Sequence, residues 1–293
     1  MKQRNRARKH IIGMLVGKRV GYMVVVKEVL CKSVLSRSGL PSIDYSVNPY
    51  RGCEHGCVYC YARFIKRFTG HQEEWGEFVD IKINAPQVLS RELSRVPKGL
   101  VTLSTVTDPY QPLEKKYELT RKCLQKLLAY NFPLDILTKS SLVLRDMDLL
   151  AKFSERGVGF TITTVDEEVR RKCEPHSSLV EERLAALEEL HDRGISTYVF
   201  LGPMLPYITD VDESLRSMIQ AFAKVKVDHV MVDRLNMRWG VWPSVVRFLK
   251  EHYPNLMPEY RRIFWSKNDY FEGTRRKIVK LCDDYGVKYE FCY

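Results

Sequence analysis

Three of the chain's eight cysteines are crowded into one short segment. It reads Asn48-Pro49-Tyr50-Arg51-Gly52-Cys53-Glu54-His55-Gly56-Cys57-Val58-Tyr59-Cys60-Tyr61, a C-x3-C-x2-C spacing. Gly52 and Gly56 let the backbone turn sharply, so such a loop can bring three sulfurs together. Two kinds of metal chemistry suit thiols so arranged. Structural zinc takes four protein ligands, and His55, His71 or a distant thiol would have to supply the fourth. A cubane iron–sulfur cluster can use three cysteines on three irons, leaving the fourth iron open to a reacting molecule. Cys31, Cys123, Cys173, Cys282 and Cys292 are scattered. In an intracellular chain such cysteines read as thiols and not as a disulfide framework. Cys282 and Cys292 read as small buried apolar residues.

The motif, with the aromatic Tyr59 before its last cysteine, resembles the signature of the radical S-adenosylmethionine (SAM) enzymes. The run from Ser38 to Arg63 resembles, more narrowly, the spore photoproduct lyase-like branch, also labelled DNA repair photolyase-like. Two later segments are similar to the same branch: Thr105-Val106-Thr107-Asp108-Pro109-Tyr110-Gln111-Pro112-Leu113-Glu114, and Thr161 to Asp166 with Arg170, Glu174 and Pro175. The resemblance implies a 4Fe–4S cluster on Cys53, Cys57 and Cys60, with SAM chelating the open iron. One electron, from a flavodoxin- or ferredoxin-like donor, would cleave the S–C5′ bond to a 5′-deoxyadenosyl radical. Such a radical needs a dry, enclosed site.

Other residues are candidates for holding the cofactor. Lys139 ends a predicted strand, where its ammonium can pair with the methionyl carboxylate; the alternative is a solvated surface lysine. Asp108, with Thr105 in the same loop, can accept from the methionyl amine or position the substrate, or can simply be a turn-forming Asp before Pro. Thr161 and Thr163 share one face of a strand near the adenosine, or are ordinary half-buried threonines. Glu174 and Arg183 can contact the ribose or form a surface ion pair of low worth. The resemblance also implies, for the photoproduct lyase, catalytic tyrosines flanking the last cluster cysteine, matched by Tyr59 and Tyr61. It further implies a hydrogen-donating cysteine after the second strand. Residues 103–108 hold no thiol. A threonine hydroxyl is a poor radical hydrogen donor, because its O–H bond is far stronger than S–H. Thymine-dimer reversal therefore does not carry over.

Positioning such groups requires parallel βαβ units. Apolar runs predict strands at Phe78–Ile83, Leu100–Ser104, Leu134–Thr138, Gly159–Thr163, Thr197–Leu201 and His229–Val232. Helices are predicted at Pro86–Val96, Leu119–Tyr130, Leu142–Arg156, Leu179–Arg193 and Val211–Lys224, with Gly157 and Gly194 as C-terminal caps. The alternation predicts an α/β fold, a partial (β/α)6 barrel, over residues 27–240. A helix around Gly273–Tyr285 and a strand Val287–Phe291 close the chain within segment 241–293. Pro203–Pro206 and Asp233, Arg234, Asn236 and Arg238 are expected to line the open end. Tyr110, Trp239 and Trp242 are candidates for base stacking.

Composition bounds the partners. Of a net charge of +11, residues 1–38 carry most: Lys2, Arg4, Arg6, Arg8, Lys9, Lys18, Arg19, Lys27, Lys32 and Arg37 face the single Glu28. Residues 1–26 therefore read as a basic extension, a candidate nucleic-acid arm, while the remainder is nearly neutral. The longest apolar run, Ile11–Val26, is broken by Lys18 and Arg19, so no membrane span or secretory signal is expected. The implied location is cytoplasmic. The sequence therefore points to a radical SAM enzyme with nucleic acid as its leading substrate class. The alternatives are a radical enzyme for a protein or small metabolite, and a zinc-stabilised nucleic-acid-binding protein.

Overall fold

In a computed structural model, the backbone is described over residues 11–19, 22–238 and 240–293. The first five basic residues, His10 and Trp239 lie outside the described residues. Twelve strands form two sheets among the described residues. The smaller contains β1 (Ile11–Arg19) and β2 (Tyr22–Val29), an antiparallel hairpin. The larger starts with β3 (Leu35–Arg37) and β4 (Tyr45–Val47), also antiparallel. The chain then returns to the smaller sheet as β5 (Tyr50–Arg51) and β6 (Phe78–Lys82), completing the order β1-β2-β6-β5.

From here the larger sheet is built by right-sized crossovers. Its strands are β7 (Val101–Leu103), β8 (Leu134–Thr138), β9 (Arg156–Thr161), β10 (Ser196–Met204), β11 (His229–Arg234) and β12 (Tyr289–Phe291). From β4 onward every neighbouring pair is parallel, in the order β4-β7-β8-β9-β10-β11-β12. Six strands with their crossovers make the expected partial barrel, and β12 adds a seventh. The pairings do not close the sheet into a ring. Helices Ala85–Leu93, Leu119–Ala129, Val180–Asp192 and Asp212–Lys224 cover it. Their buried faces join the inward residues of β7 to β11 in one apolar core, including Leu89, Leu124, Leu187, Ile219, Ile136 and Val199.

Several expectations are corrected. The predicted strand Phe78–Ile83 exists, but it pairs with β2 and β5 and takes no place in the barrel. The barrel's first strand is Tyr45–Val47, too short to show a period. The predicted helix Leu142–Arg156 is instead a 3-10 turn (Ser141–Asp146), one α turn (Met147–Leu150) and the start of β9. Gly157 is therefore a strand residue. So is Gly159, and a Cβ there would stand 2.2 Å from the Tyr198 ring that covers it. Gly194 follows its helix with φ +69°, as a C-terminal cap does.

Residues 11–19 and 22–29, which take in part of the basic leader, pair as a hairpin whose Val24 and Val26 pack on Tyr50, Val79 and Ile81. After β11 come helices Val241–His252, Met257–Trp265 and Tyr270–Tyr285. Among the described residues, no helix is long and apolar enough to cross a membrane.

Candidate active site

β5 delivers the chain directly into the cysteine loop. Gly52, at φ +85°, backs onto Phe78, where a Cβ would fall 2.3 Å from the carbonyl oxygen. Gly56, at φ +64°, lies backbone to backbone against Gly76; a Cβ on Gly76 would come within 2.9 Å of Gly56 Cα. These two turns fold Cys53, Cys57 and Cys60 inward. Hydrogen bonds hold the shape: Cys60 N–H donates to the Cys57 carbonyl at 3.2 Å, and Val58 N–H to the Cys173 carbonyl at 2.9 Å. Arg63 donates to the Cys57 carbonyl at 2.9 Å. Cys53 and Cys57 are buried, and Cys60 is partly so.

Burial pushes the Cys57 thiol up to about 12, and shifts Cys53 and Cys60 in the same direction. The three sulfurs thus stay protonated until a cation displaces their protons. Among the described residues, no three His, Cys, Asp or Glu side chains converge on a point where a single metal ion would sit. His71 is no spare ligand: its ring nitrogens face Glu73 at 2.8 Å and Asp80 at 3.0 Å, and its ring stacks on Phe78. Three cysteines on one loop fit a cluster that takes three protein thiols, whereas tetrahedral zinc would need a fourth protein ligand that His71 does not offer.

Around the loop stand the carboxyl ends of β4, β7, β8 and β9, where parallel α/β folds place ligands. The loop after β7 is fastened to the cysteine segment. Asn48 Oδ1 accepts from Thr105 and Val106 N–H at 3.0 and 3.1 Å, and its amide lies 3.4 Å from the Thr105 hydroxyl. The Thr107 hydroxyl donates to the Gly52 carbonyl at 2.6 Å, and the Gln111 amide to Thr107 at 3.0 Å. The Tyr61 hydroxyl donates to the Thr105 carbonyl, while the residue as a whole is 42% exposed. Tyr61 therefore stands at the mouth.

Asp108 is fully engaged. It accepts from Tyr110 N–H at 2.8 Å, the Thr138 hydroxyl at 2.8 Å and Lys139 N–H at 2.9 Å, and lies 3.3 Å from His55 Nδ1. Burial works against its charge, but His55, Lys139 and Thr138 hold the carboxyl at about 2. The turn-forming role is present, joined to a second one: Asp108 ties the cysteine loop to the start of the loop after β8. Lys139 follows β8 directly. Its ammonium lies 5.8 Å from the Tyr59 ring and has no hydrogen bond or ion pair among the described residues.

Tyr59 is buried, and its hydroxyl donates to Glu174. The same carboxylate accepts from the Thr163 hydroxyl at 3.2 Å and pairs with Arg183 at 2.6 Å. Arg183 also donates to the Thr161 carbonyl at 2.9 Å. The surface ion pair expected of Glu174 and Arg183 is thus a buried one, with both side chains at most 1% exposed. Thr161 ends β9 and Thr163 lies just beyond it; both are buried.

Sequence reasoning passed over Asn48, Thr107 and Gln111, although all three lie in the segments that carried the resemblance. Their signal was an amide or hydroxyl beside each loop's turn. Tyr110 is no stacking platform, being buried with its hydroxyl on Asp146 at 3.1 Å. Cys282 is buried as expected, but Cys292 is exposed.

The comparisons with known proteins agree with this geometry. Residues 47–231 match the model of the Radical SAM superfamily. A protein of Methanocaldococcus jannaschii is 38% identical over 189 residues, 64% of this chain and 71% of that one. The radical SAM Nalpha-GlyT isomerase of Pseudomonas phage M6 is 23% identical over 260 residues, 84% of this chain and 52% of that one. A spore photoproduct lyase complexed with a dinucleoside spore photoproduct has the same fold, with a TM-score of 0.69, 14% identity, and coverage of 92% of this chain and 82% of that one. From the cysteine loop into β11, the chain belongs to the radical SAM superfamily and is a radical SAM enzyme.

Proposed function

We propose that Cys53, Cys57 and Cys60 hold a 4Fe–4S cluster, that Lys139 holds the SAM carboxylate, and that the substrate is nucleic acid. The observation that carries the reading is three thiols on one loop, two buried and one partly so, with the Lys139 ammonium over the Tyr59 ring between two of them and in no ion pair among the described residues. With both groups bound, this chemistry supplies a 5′-deoxyadenosyl radical from reductive cleavage of the sulfonium.

The chain's own residues do the rest. Lys139 offers a fixed cation at the carboxyl end of β8. Asp108 and His55 hold that strand end against the cysteine loop. Thr105, pinned by Asn48, and Tyr61 form the rim through which substrate enters. Tyr59, Glu174, Arg183 and the threonines Thr161 and Thr163 make a wall whose polar groups satisfy one another, so it excludes water without exposing an unpaired charge. A flavodoxin- or ferredoxin-like protein is the proposed electron donor.

The nucleic-acid reading is supported by the lyase of like fold, whose complex contains a dinucleoside photoproduct. With no thiol in the loop after β7 to return a hydrogen atom, dimer reversal is not the proposed reaction. The near-neutral charge of residues 39–293 favours, as a second reading, a protein or small metabolite as substrate.

Anaerobic preparation tests the reading in two stages. The protein should be brown, with about four irons per chain, and should release 5′-deoxyadenosine when reduced with SAM. Single-stranded DNA or RNA should stimulate that release more than peptides or a metabolite extract; the reverse order would transfer the assignment to the second reading. Cys57→Ala should lose its iron and all turnover while keeping its far-UV circular dichroism. Cys57 packs with Tyr59, Leu205 and Tyr260, apart from the main core.

A further inference from the structure

Beyond the strand end of β11, side chains alternate in exposure. Arg234, Asn236 and Arg238 are exposed, while Leu235 between them is buried. A period of two places the three polar residues on one side of an extended segment. Beside them opens a groove of about 610 Å³, lined by Arg234, Asn236, Lys267, Phe271, Arg275 and Tyr293 among others.

Aromatic rings form its wall. Tyr293 meets Phe271 at 6.3 Å, Phe271 meets Phe264 at 5.8 Å, and Phe264 meets Trp265 at 6.1 Å. Trp265, between the lining residues Phe264 and Ser266 in the chain, is 57% exposed. The cations are held by rings and not by acids: Arg234 lies 5.4 Å from the Phe271 centroid and 5.2 Å from that of Tyr293, and Arg275 lies 4.5 Å from Phe291. Among the described residues, Arg234, Arg238, Lys267 and Arg275 form no ion pair with a carboxylate. Two carboxylates, Asp269 and Glu272, also line the groove, and Glu272 stands 4.0 Å from Arg276. Three cations, Arg234, Lys267 and Arg275, thus line the groove against two carboxylates, with the exposed Trp265 ring beside it.

The segment 234–237 that lines the groove leads on in the chain to Gly240, beside the cysteine segment. Gly240 approaches Arg63 of the cysteine segment, where a Cβ would stand 3.2 Å from Arg63 Cβ. We infer that this groove binds single-stranded nucleic acid, its arginines and Lys267 contacting phosphates and the exposed Trp265 beside it stacking a base, and leads the strand to the radical site. An acidic peptide would satisfy the cations and leave the rings unused, whereas every base offers a π face. The inference deepens the nucleic-acid reading of the same site and rests on it.

Fluorescence anisotropy of a labelled oligothymidylate of roughly twelve nucleotides, with the full anaerobic protein across a salt series, tests it. The double variant Arg234→Gln/Lys267→Gln should weaken binding and make the salt slope shallower by roughly 1.4, about 0.7 per lost phosphate contact. Trp265→Ala should weaken binding roughly fivefold or more at an unchanged slope. Absence of binding by the unaltered chain, unchanged binding by both variants, or equal competition by polyglutamate of matched length would each overturn the groove assignment. Iron content and 5′-deoxyadenosine release, measured on the same preparation without oligonucleotide, report separately on the radical chemistry. Iron without oligonucleotide binding overturns the groove alone.

Discussion

Glu174 Oε2 lies 2.6 Å from an Arg183 guanidinium nitrogen, out of contact with solvent, and the same carboxylate accepts the Tyr59 hydroxyl. A residue lying between two loop cysteines is thereby fastened to the helix Val180–Asp192. Removing one partner of a buried pair leaves the other charged and unsatisfied, at a cost of about 3–5 kcal/mol. Glu174→Gln should lower the urea midpoint by that equivalent. Adding Arg183→Met should restore much of it, because the stranded charge goes too. A double variant no more stable than Glu174→Gln alone would show that the pair acts through something other than its charges.

The same carboxyl sets an acid limit. Burial opposes its ionisation, yet Arg183, Lys139 and the Tyr59 hydroxyl hold it at about 2, against about 4.3 in an unfolded chain. A depressed folded value contributes stability above the unfolded one, here about 3 kcal/mol, and loses it as pH falls from about 4.3 toward 2. Asp108, also at about 2, acts in the same window. The stability gap between the wild-type chain and Glu174→Gln should therefore be full at pH 5–7 and narrow steadily below pH ~4. A gap independent of pH would contradict the ionised assignment.

What could be read from the sequence follows from how far each signal reaches along the chain. Strands β8, β10 and β11 carry apolar runs long enough to stand out, and their helices end on visible caps such as Gly194. Tyr45–Val47 is three residues long and shows no period. Phe78–Lys82 looks like any buried strand, because local pattern does not say which sheet will accept it. Leu142, Leu149 and Leu150 imitate a helical stripe, but Gly157 and Gly159 answer to the Tyr198 ring, a contact made across strands. In the site, the cysteines and Tyr59 announce themselves by spacing. Asn48 and Gln111 do not, since their value lies in reaching a loop 57 residues away. Glu174 and Arg183 were visible as candidates, but burial, which decides what their pairing is worth, belongs to the tertiary structure.

Gly52 offers a test of how the loop is held. Its φ of +85° disfavours any side chain, and a Cβ would collide with the Phe78 carbonyl. Gly52→Ala should cost about 2 kcal/mol or more from the left-handed strain alone. The loop must shift to relieve the contact, so iron incorporation should fall with it. Gly273→Ala is the control: that glycine lies within a helix and nothing stands within 4 Å of its Cβ position. It should hold stability or raise it slightly. Equal behaviour of the two variants would mean that the Gly52 turn is not what seats the thiols.

Lys139 separates holding the fold from holding the cofactor. Burial works against its charge, but the Glu174 and Asp108 carboxylates around it keep it above the usual lysine range, so it is cationic at neutral pH. Its ammonium makes no ion pair whose loss would strand a buried carboxylate, and Glu174 keeps Arg183 in its absence. Lys139→Met should accordingly cost less stability than Glu174→Gln. Its effect on SAM should be large, since a hydrogen bond between charged groups is worth about 1.5–3 kcal/mol, a loss of roughly tenfold to a hundredfold in affinity. Lys139→Arg, which keeps the charge on a different fork, should retain part of that affinity. Isothermal titration of SAM into the oxidised, iron-loaded protein measures binding without turnover. Unchanged affinity in Lys139→Met, with iron content intact, would remove this lysine from the cofactor site while leaving the cluster assignment standing.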